Sequence, residues 1–497
     1  MSSTTSIKKE LIIKTDFFSN YIQNPDFLDE VFNKDKSVRK YYLKTVNHFK
    51  HLTRKEIAEL NEYTRMSFLN QGITFNVYSE NKGVERIFPF DIFPRIIPGK
   101  EWAGLEKGVI QRTQALNMLL ADLYNDQKIL KDKILPKDWV LSSKAYCKHM
   151  EGFKPVGGVY THISGTDLIK GKNGEYYVLE DNVRCPSGIS YVLSNREAMK
   201  RTFSELISKY DMLAVDDYPD QLYDKMVSVA PPGSDEPTCV LLTPGIYNSA
   251  YFEHTFLASE MGIDLVEGRD LYLENGYVFM KTIYGPERVD VIYRRIDDDF
   301  IDPKYFRKDS LLGLEGLMDS YKQGKVTIAN APGTGIADDK AVYTYMPEII
   351  KYYLGEEPIL NNVHTYRCEK DDDYKYIMEN MEKLVVKPVD ESGGYGVMIG
   401  SKATKKEISN YKQLIKSNRR KYIAQPIMPL SVHTTYIDKT RKFEQRHVDL
   451  RIFSITGADE TYVCKGGLSR VALKKGSLIV NSSQGGGSKD TWVLDDF

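Results

Sequence analysis

A mixed chain, part α/β and part α+β behind a mainly helical N-terminal region, is expected from three patterns. Residues 105–124 form a long amphipathic stretch in which Leu116, Leu119, Leu120 and Leu123 recur at helical spacing. Two strand-like runs, 163–169 and 175–182, flank Asn173-Gly174, the strongest short hairpin signal. An apolar run at 238–242, a helical stretch at 251–261 closed by Gly262 and a second apolar run at 263–267 read as a strand–helix–strand unit with parallel strands.

The first region, 1–155, is broken by prolines at Phe88-Pro89, Phe93-Pro94 and Ile97-Pro98. Its leucine stripe reads as core, and Arg112 and Asn117 on the same stretch read as salt-bridged or solvated. Residues 156–235 carry the hairpin and a helix expected at 195–210, and the boundary near Asp235 falls in a proline-rich linker at 216–237, with Pro219, Pro231, Pro232 and Pro237. The strand–helix–strand unit opens 236–345. Residues 346–497 hold strand runs at 384–387, 422–425, 448–455 and 477–480. A length of 497 residues gives a prior of roughly three domains or subdomains, in line with this division.

Composition narrows the function. Lys plus Arg number 68 against 69 Asp plus Glu, so no global field favours nucleic acid or an anionic membrane surface. No apolar run approaches the ~18 residues that span a bilayer, and the start carries no apolar signal core, so a cytoplasmic protein is expected. Five scattered cysteines, Cys147, Cys185, Cys239, Cys368 and Cys464, read as reduced structural thiols. His162, His254 and His447 stand without zinc spacing and read as structural. A monomer and a closed homo-oligomer fit equally well.

Two motifs carry chemistry. The run Leu384-Val385-Val386-Lys387-Pro388 delivers a cation to the foot of Glu391-Ser392-Gly393-Gly394-Tyr395-Gly396. Glycine amides approach phosphate oxygens closely because no Cβ intervenes, so this reads as an ATP site; a plain glycine turn between strands is the alternative. The helix-borne phosphate loop G-x-x-x-x-G-K-[ST] is absent, so the loop is expected to close a hairpin over the nucleotide.

The second motif is the hairpin. A two-residue turn at Asn173-Gly174 pairs Lys172 with Glu175, sets Asp167 opposite Glu180 and places Asn182 on the face of Glu180. Facing carboxylates repel unless a cation lies between them, and hard oxygen donors suit Mg²⁺ bridged to nucleotide phosphates. An edge hairpin with solvated acids is the alternative. Arg184, two residues on, fits either an oxyanion partner or an ion pair with Asp181, and Arg294-Arg295-Ile296-Asp297-Asp298-Asp299 fits either substrate contact or a solvated, self-paired loop. Lys340 offers a second cation.

These motifs resemble the ATP-grasp enzymes, and because Glu180 and Asn182 precede both lysines the order resembles the circularly permuted group related to the synthetase half of glutathionylspermidine synthase. The resemblance extends from about Asn70 onward through Phe88-Pro89-Phe90-Asp91, Leu242-Thr243-Pro244-Gly245, Ala337-Asp338-Asp339-Lys340 and Asn481-Ser482-Ser483-Gln484-Gly485. It implies a permuted ATP-grasp fold with a pre-ATP-grasp-like βαβ region. It further implies Mg²⁺ at Asp167, Glu180 and Asn182, the α- and β-phosphates of ATP at Lys340 and Lys387, and a phosphate cover from Gly393, Gly394 and Gly396. The 422–425 run becomes the hinge that reads adenine, with Gln425 beside it, and Arg451 and Arg470 become cations for the transferred phosphoryl group. The implied activity is a carboxylate–amine ligase acting on small-molecule or peptide substrates; a phosphotransferase and a nucleotide-binding regulatory protein are the alternatives. The thiol–polyamine product of the named relative is not implied, since no persuasive Cys/His amidase pattern precedes the motifs.

Overall fold

Asp167 lies directly opposite Glu180 in the antiparallel pair Ile163–Lys170 and Tyr176–Asn182. The structure, a computed structural model, describes residues 18, 21–79, 82–390, 396–477, 480 and 486–495, with backbone alone for 75–86. The expected register holds at the site by a different route. The connection has three residues, with the Gly174 N–H bonded to the Gly171 oxygen and Gly174 at a positive φ of 85°. A bulge between Asp167 and Leu168 in the pairing then restores the register one residue later.

This hairpin lies within an eight-stranded sheet. Asn361–Asn362 flanks it in parallel on one side; on the other follow Lys442–Thr456, Thr461–Val471, Gly487–Val493 and finally Phe90–Ile97, with Val432–Ile437 pairing the start of Lys442–Thr456. Phe90–Ile97 corrects the reading of Pro94 as a helix breaker. Proline is tolerated on an edge strand, where its missing N–H leaves no ladder bond unmade. The pairing slips at that point, so that Ile92, Phe93 and Pro94 stand against Asp490 alone.

A second sheet, all parallel, runs in the order Thr327–Ala329, Val291–Arg294, Cys239–Leu242, Asp264–Val266. The expected strand–helix–strand unit is its inner part, with the helix at Tyr251–Met261 and Gly262 at a φ of 65° closing it. The helix expected at 195–210 begins earlier, as Ile189–Thr202, followed by Ser204–Ile207. A third, antiparallel sheet sets Tyr422–Pro426 between Tyr366–Arg367 and Leu384–Pro388, with Met398–Ile399 at its edge. Of the run expected at 477–480, Leu478 and Ile479 lie outside the described residues.

The helix Gly99–Leu123 ties the first two sheets together. Trp102, Leu105 and Val109 pack with Leu168, Val178, Leu450 and Ile452 of the large sheet. About two to four turns beyond Val109, Leu116, Leu119, Leu120 and Leu123 join the cluster of Val240, Leu242, Ile292 and Ile328 from the parallel sheet. Each such leucine is worth roughly 1.5–3 kcal/mol on burial, so one helix fixes the relative placement of both sheets.

Asn330, just past Thr327–Ala329, makes the polar joint between them. Its side-chain amide donates to the carbonyls of Ile163 (2.7 Å) and Val183 (2.9 Å), and its oxygen accepts from the His162 and Ile163 N–H groups (2.6 and 2.7 Å). Asn330→Leu is expected to lose about 2–3 kcal/mol, since buried peptide groups lose their partners. The urea midpoint measures this, and an unchanged midpoint would contradict it.

Candidate active site

Glu180 and Asn182 from the hairpin, Lys340 from the segment after the parallel sheet and Asp390, two residues past the Leu384–Pro388 strand, line one cavity of about 320 Å³. Parts of the chain more than two hundred residues apart therefore meet where the motifs require. The two lysine segments are joined by the Lys340 N–H, which donates to the Val389 oxygen at 3.2 Å.

Each group has a local reason for its position. Asp339 accepts from the Ala341 N–H and so caps the short helix Lys340–Tyr343; its carboxylate also takes Ser143 Oγ (2.8 Å) and Arg420 Nη2 (2.7 Å). Lys340 opens that helix and reaches Glu180 Oε2 with Nζ at 3.3 Å. Asp338 accepts from the Val183 N–H and from Arg184 Nε, both at 2.9 Å, which ties the neighbouring helix Gly335–Asp338 to the end of the hairpin. Burial pushes the Asp338 carboxyl up, and Arg184 opposes this.

Lys387 stands at the end of Leu384–Pro388, across from Ile423. Burial pushes its ammonium down to about 8; Lys340 acts in the same sense, while Glu180 and Asp167 favour its charged form. Val389, two residues on, accepts the Lys340 N–H and lines the cavity together with Glu180, which sets the end of this strand beside the hairpin acids. Of the cover glycines, Gly393 and Gly394 lie outside the described residues. Gly396 has a φ of 66°, and a Cβ there would lie 3.0 Å from Pro388 Cγ. Gln425 is buried in an interior strand of the third sheet and its amide donates to Thr365 Oγ1 at 2.9 Å, so one of its N–H groups is engaged within the fold.

The three hairpin donors differ in setting. Glu180 is about a quarter exposed and faces the cavity. Asn182 donates through Nδ2 to the Gly165 oxygen (3.1 Å), which leaves its oxygen as an acceptor. Both are hard oxygen donors beside the Lys340 ammonium, and donors of that kind fit Mg²⁺. Asp167 is buried, and its oxygens already accept from Arg451 (2.6 and 2.8 Å) and Arg470 (2.8 Å). The two arginines hold its carboxyl well below the usual range against the opposing effect of burial. Arg470 also pairs with Asp449, its register partner, at 2.5 Å. Among the described residues, no group of three or more His, Cys, Asp or Glu is arranged to hold a metal ion.

Several partners differ from expectation. Arg184 does not pair with Asp181; it pairs with Asp338 and, at 3.9 Å, with Asp297, while Asp181 is held by Arg112 through three bonds of 2.8–3.0 Å. Arg294 and Arg295 are buried and not part of a solvated loop: Arg294 pairs with Asp298 at 2.7 Å and Arg295 with Glu253 at 2.8 Å. The sequence reading also missed Asp338, Asp339 and Lys144, although the first two sit inside the quoted Ala337–Lys340 motif and Lys144 lines the cavity. The five cysteines are free, four of them buried. No described helix is long and apolar enough to cross a membrane.

The permuted order and the meeting of hairpin and lysine segments define a known class. A family model of circularly permuted ATP-grasp proteins of type 2 matches residues 94–472, and the chain belongs to that family. It is 51% identical over 469 residues to an uncharacterized protein of Synechocystis sp., covering 94% of this chain and 97% of that one. An uncharacterized protein of Mycobacterium tuberculosis is 46% identical, with 94% and 84% covered. A putative glutamate–cysteine ligase of Frankia alni is 39% identical over 94% of this chain, which spans only 54% of that longer protein. Among solved structures, a glutathione synthetase-like effector of Globodera pallida shares the fold with a TM-score of 0.59, at 12% identity over 89% of this chain and 98% of that one.

Proposed function

We propose that the protein is an ATP-dependent carboxylate–amine ligase that forms an amide or peptide-like bond. The observation that carries this reading is the convergence of Glu180, Asn182, Lys340 and Asp390 on one cavity, with Lys387 nearby. ATP-grasp membership supports ATP as the nucleotide, and the ligase name of the Frankia alni relative supports the reaction class.

In this reading Lys340 and Lys387 hold the α- and β-phosphates, and the glycine loop covers them. Glu180 and Asn182 hold Mg²⁺, which when bound neutralises charge on the phosphates. Asp167, already charge-balanced, serves by orienting Arg451 and Arg470 toward the transferred group, and joins the ion only as a third donor. A substrate carboxylate oxygen bonds to the γ-phosphorus, the bond to the β–γ bridging oxygen breaks and ADP leaves; an amine then displaces phosphate from the acyl carbon. Arg184 stabilises the oxyanion of that second step.

The test is a screen of ADP release against amino acids, short peptides and polyamines, with mass spectrometry of the product. A ligase gives ADP, phosphate and a product equal to acid plus amine less water. ADP release independent of any amine, with a stable phosphorylated product, would overturn the reading.

Lys387 supplies a pH signature. Phosphate charge beside it favours its protonated form, so ATP binding takes up a proton where the free lysine is partly neutral. Apparent ATP affinity is therefore expected to fall as pH rises through about 8. Calorimetric titrations in buffers of different ionisation enthalpy should show proton uptake in the wild type and lose it in Lys387→Met; equal uptake in both would contradict the assignment.

A further inference from the structure

A second chamber, of about 340 Å³, adjoins the first and shares with it Asn182, Arg184, Asp297 and Asp338. It lies at the point where the parallel sheet reverses its order of growth. The chain passes from Cys239–Leu242 out to Asp264–Val266 on one side and later sets Val291–Arg294 on the other. Beyond the carboxyl ends of strands at such a switch point, open α/β sheets leave a crevice that takes ligands.

Two features of the chamber favour an anion. Arg295, the residue after Val291–Arg294, lines it and is buried. Its Nη groups are held by the Pro186 oxygen, Tyr293 Oη, Ser187 Oγ and Glu253, yet its Nε–H has no acceptor among the described residues. The helix Tyr251–Met261 begins at Ala250, also in the lining, and no side chain caps that end. The Tyr251 N–H is taken by the Asn248 oxygen at 3.1 Å, and the positive end of the helix dipole stands beside the chamber through Ala250. His254 on the same helix bonds to Thr243 Oγ1 at 2.8 Å and stays neutral, held down to about 2 by burial and by Arg295.

We propose that this chamber binds the acid substrate, a small carboxylic acid with a second anionic group. One anion docks at Arg295 and the helix start; the other is presented at the shared wall, where Arg184 faces both chambers. The proposal rests on the ligase reading for the role of the second group, because only transfer across that wall requires it there.

Ala250→Asp and Ala250→Asn distinguish the charge from the cap, since both side chains cap helices and only one adds negative charge. Binding of succinate, L-glutamate and butyrate to the full-length chain is measured by saturation-transfer NMR, with thermal unfolding as a check on folding. The expected result is that succinate or L-glutamate binds the wild type more tightly than butyrate, and that Ala250→Asp binds it at least about tenfold more weakly than Ala250→Asn. Equal binding by the two variants, or no binding of either diacid to the wild type, would overturn the proposal. Diacid binding that persists without any ADP formation would instead sink the ligase reading and leave the chamber standing.

Discussion

Glu180→Ala is expected to lower ATP turnover by about 10³-fold or more while leaving the fold intact. In the proposed mechanism the loss follows from the ion, since Mg²⁺ contributes on the order of several kcal/mol of charge stabilisation to phosphoryl transfer and each 1.36 kcal/mol is roughly tenfold in rate. Stability barely changes, because the pair that Glu180 makes with Lys340 at 3.3 Å is partly exposed, and such pairs are worth about 0–1 kcal/mol. ADP formation and urea unfolding on the same sample separate the two effects. Turnover equal to wild type would remove Glu180 from the site; parallel loss of stability would make it structural.

Arg112→Met carries the largest expected loss of stability. Arg112 and Asp181 have side chains only 1% and 2% exposed, and the guanidinium also reaches Asn362 Oδ1 at 2.8 Å. Removing the cation strands a buried carboxylate between Glu180 and Asn182, which costs about 3–5 kcal/mol. The double variant Arg112→Met with Asp181→Leu should recover most of it, since neither charge is then left unpaired. Urea midpoints for the single and double variants decide the matter; a double variant as unstable as the single would show that packing, not charge, is what Arg112 supplies.

What the sequence made legible was local. Alternation and the Asn173-Gly174 turn set Asp167 against Glu180, and the strand–helix–strand at 239–266 followed from a leucine- and valine-rich run, a helix and a closing glycine. The true loop length stayed hidden because the bulge beside Asp167 cancels it, and neither feature leaves a composition signal. Phe90–Ile97 was obscured by Pro94, whose cost depends on lying at a sheet edge that only the tertiary structure reveals. Partner choice was the least legible. Arg184 has Asp181 three residues away and pairs with Asp338 instead, because Arg112 from a distant helix takes Asp181 first. Asn330 gave no signal at all, since its bonds go to backbone groups of a hairpin some 150 residues earlier.

The central claim is that the acidic hairpin and the lysine cradle form one nucleotide–metal site. Equilibrium titration of ATP with and without Mg²⁺, on the wild type and on Glu180→Gln, tests it most directly. Wild type should bind ATP more tightly when Mg²⁺ is present, and Glu180→Gln should lose that difference while still binding the nucleotide through Lys340 and Lys387. Affinity for ATP in the wild type that does not respond to Mg²⁺, or a response that survives in Glu180→Gln, would contradict it.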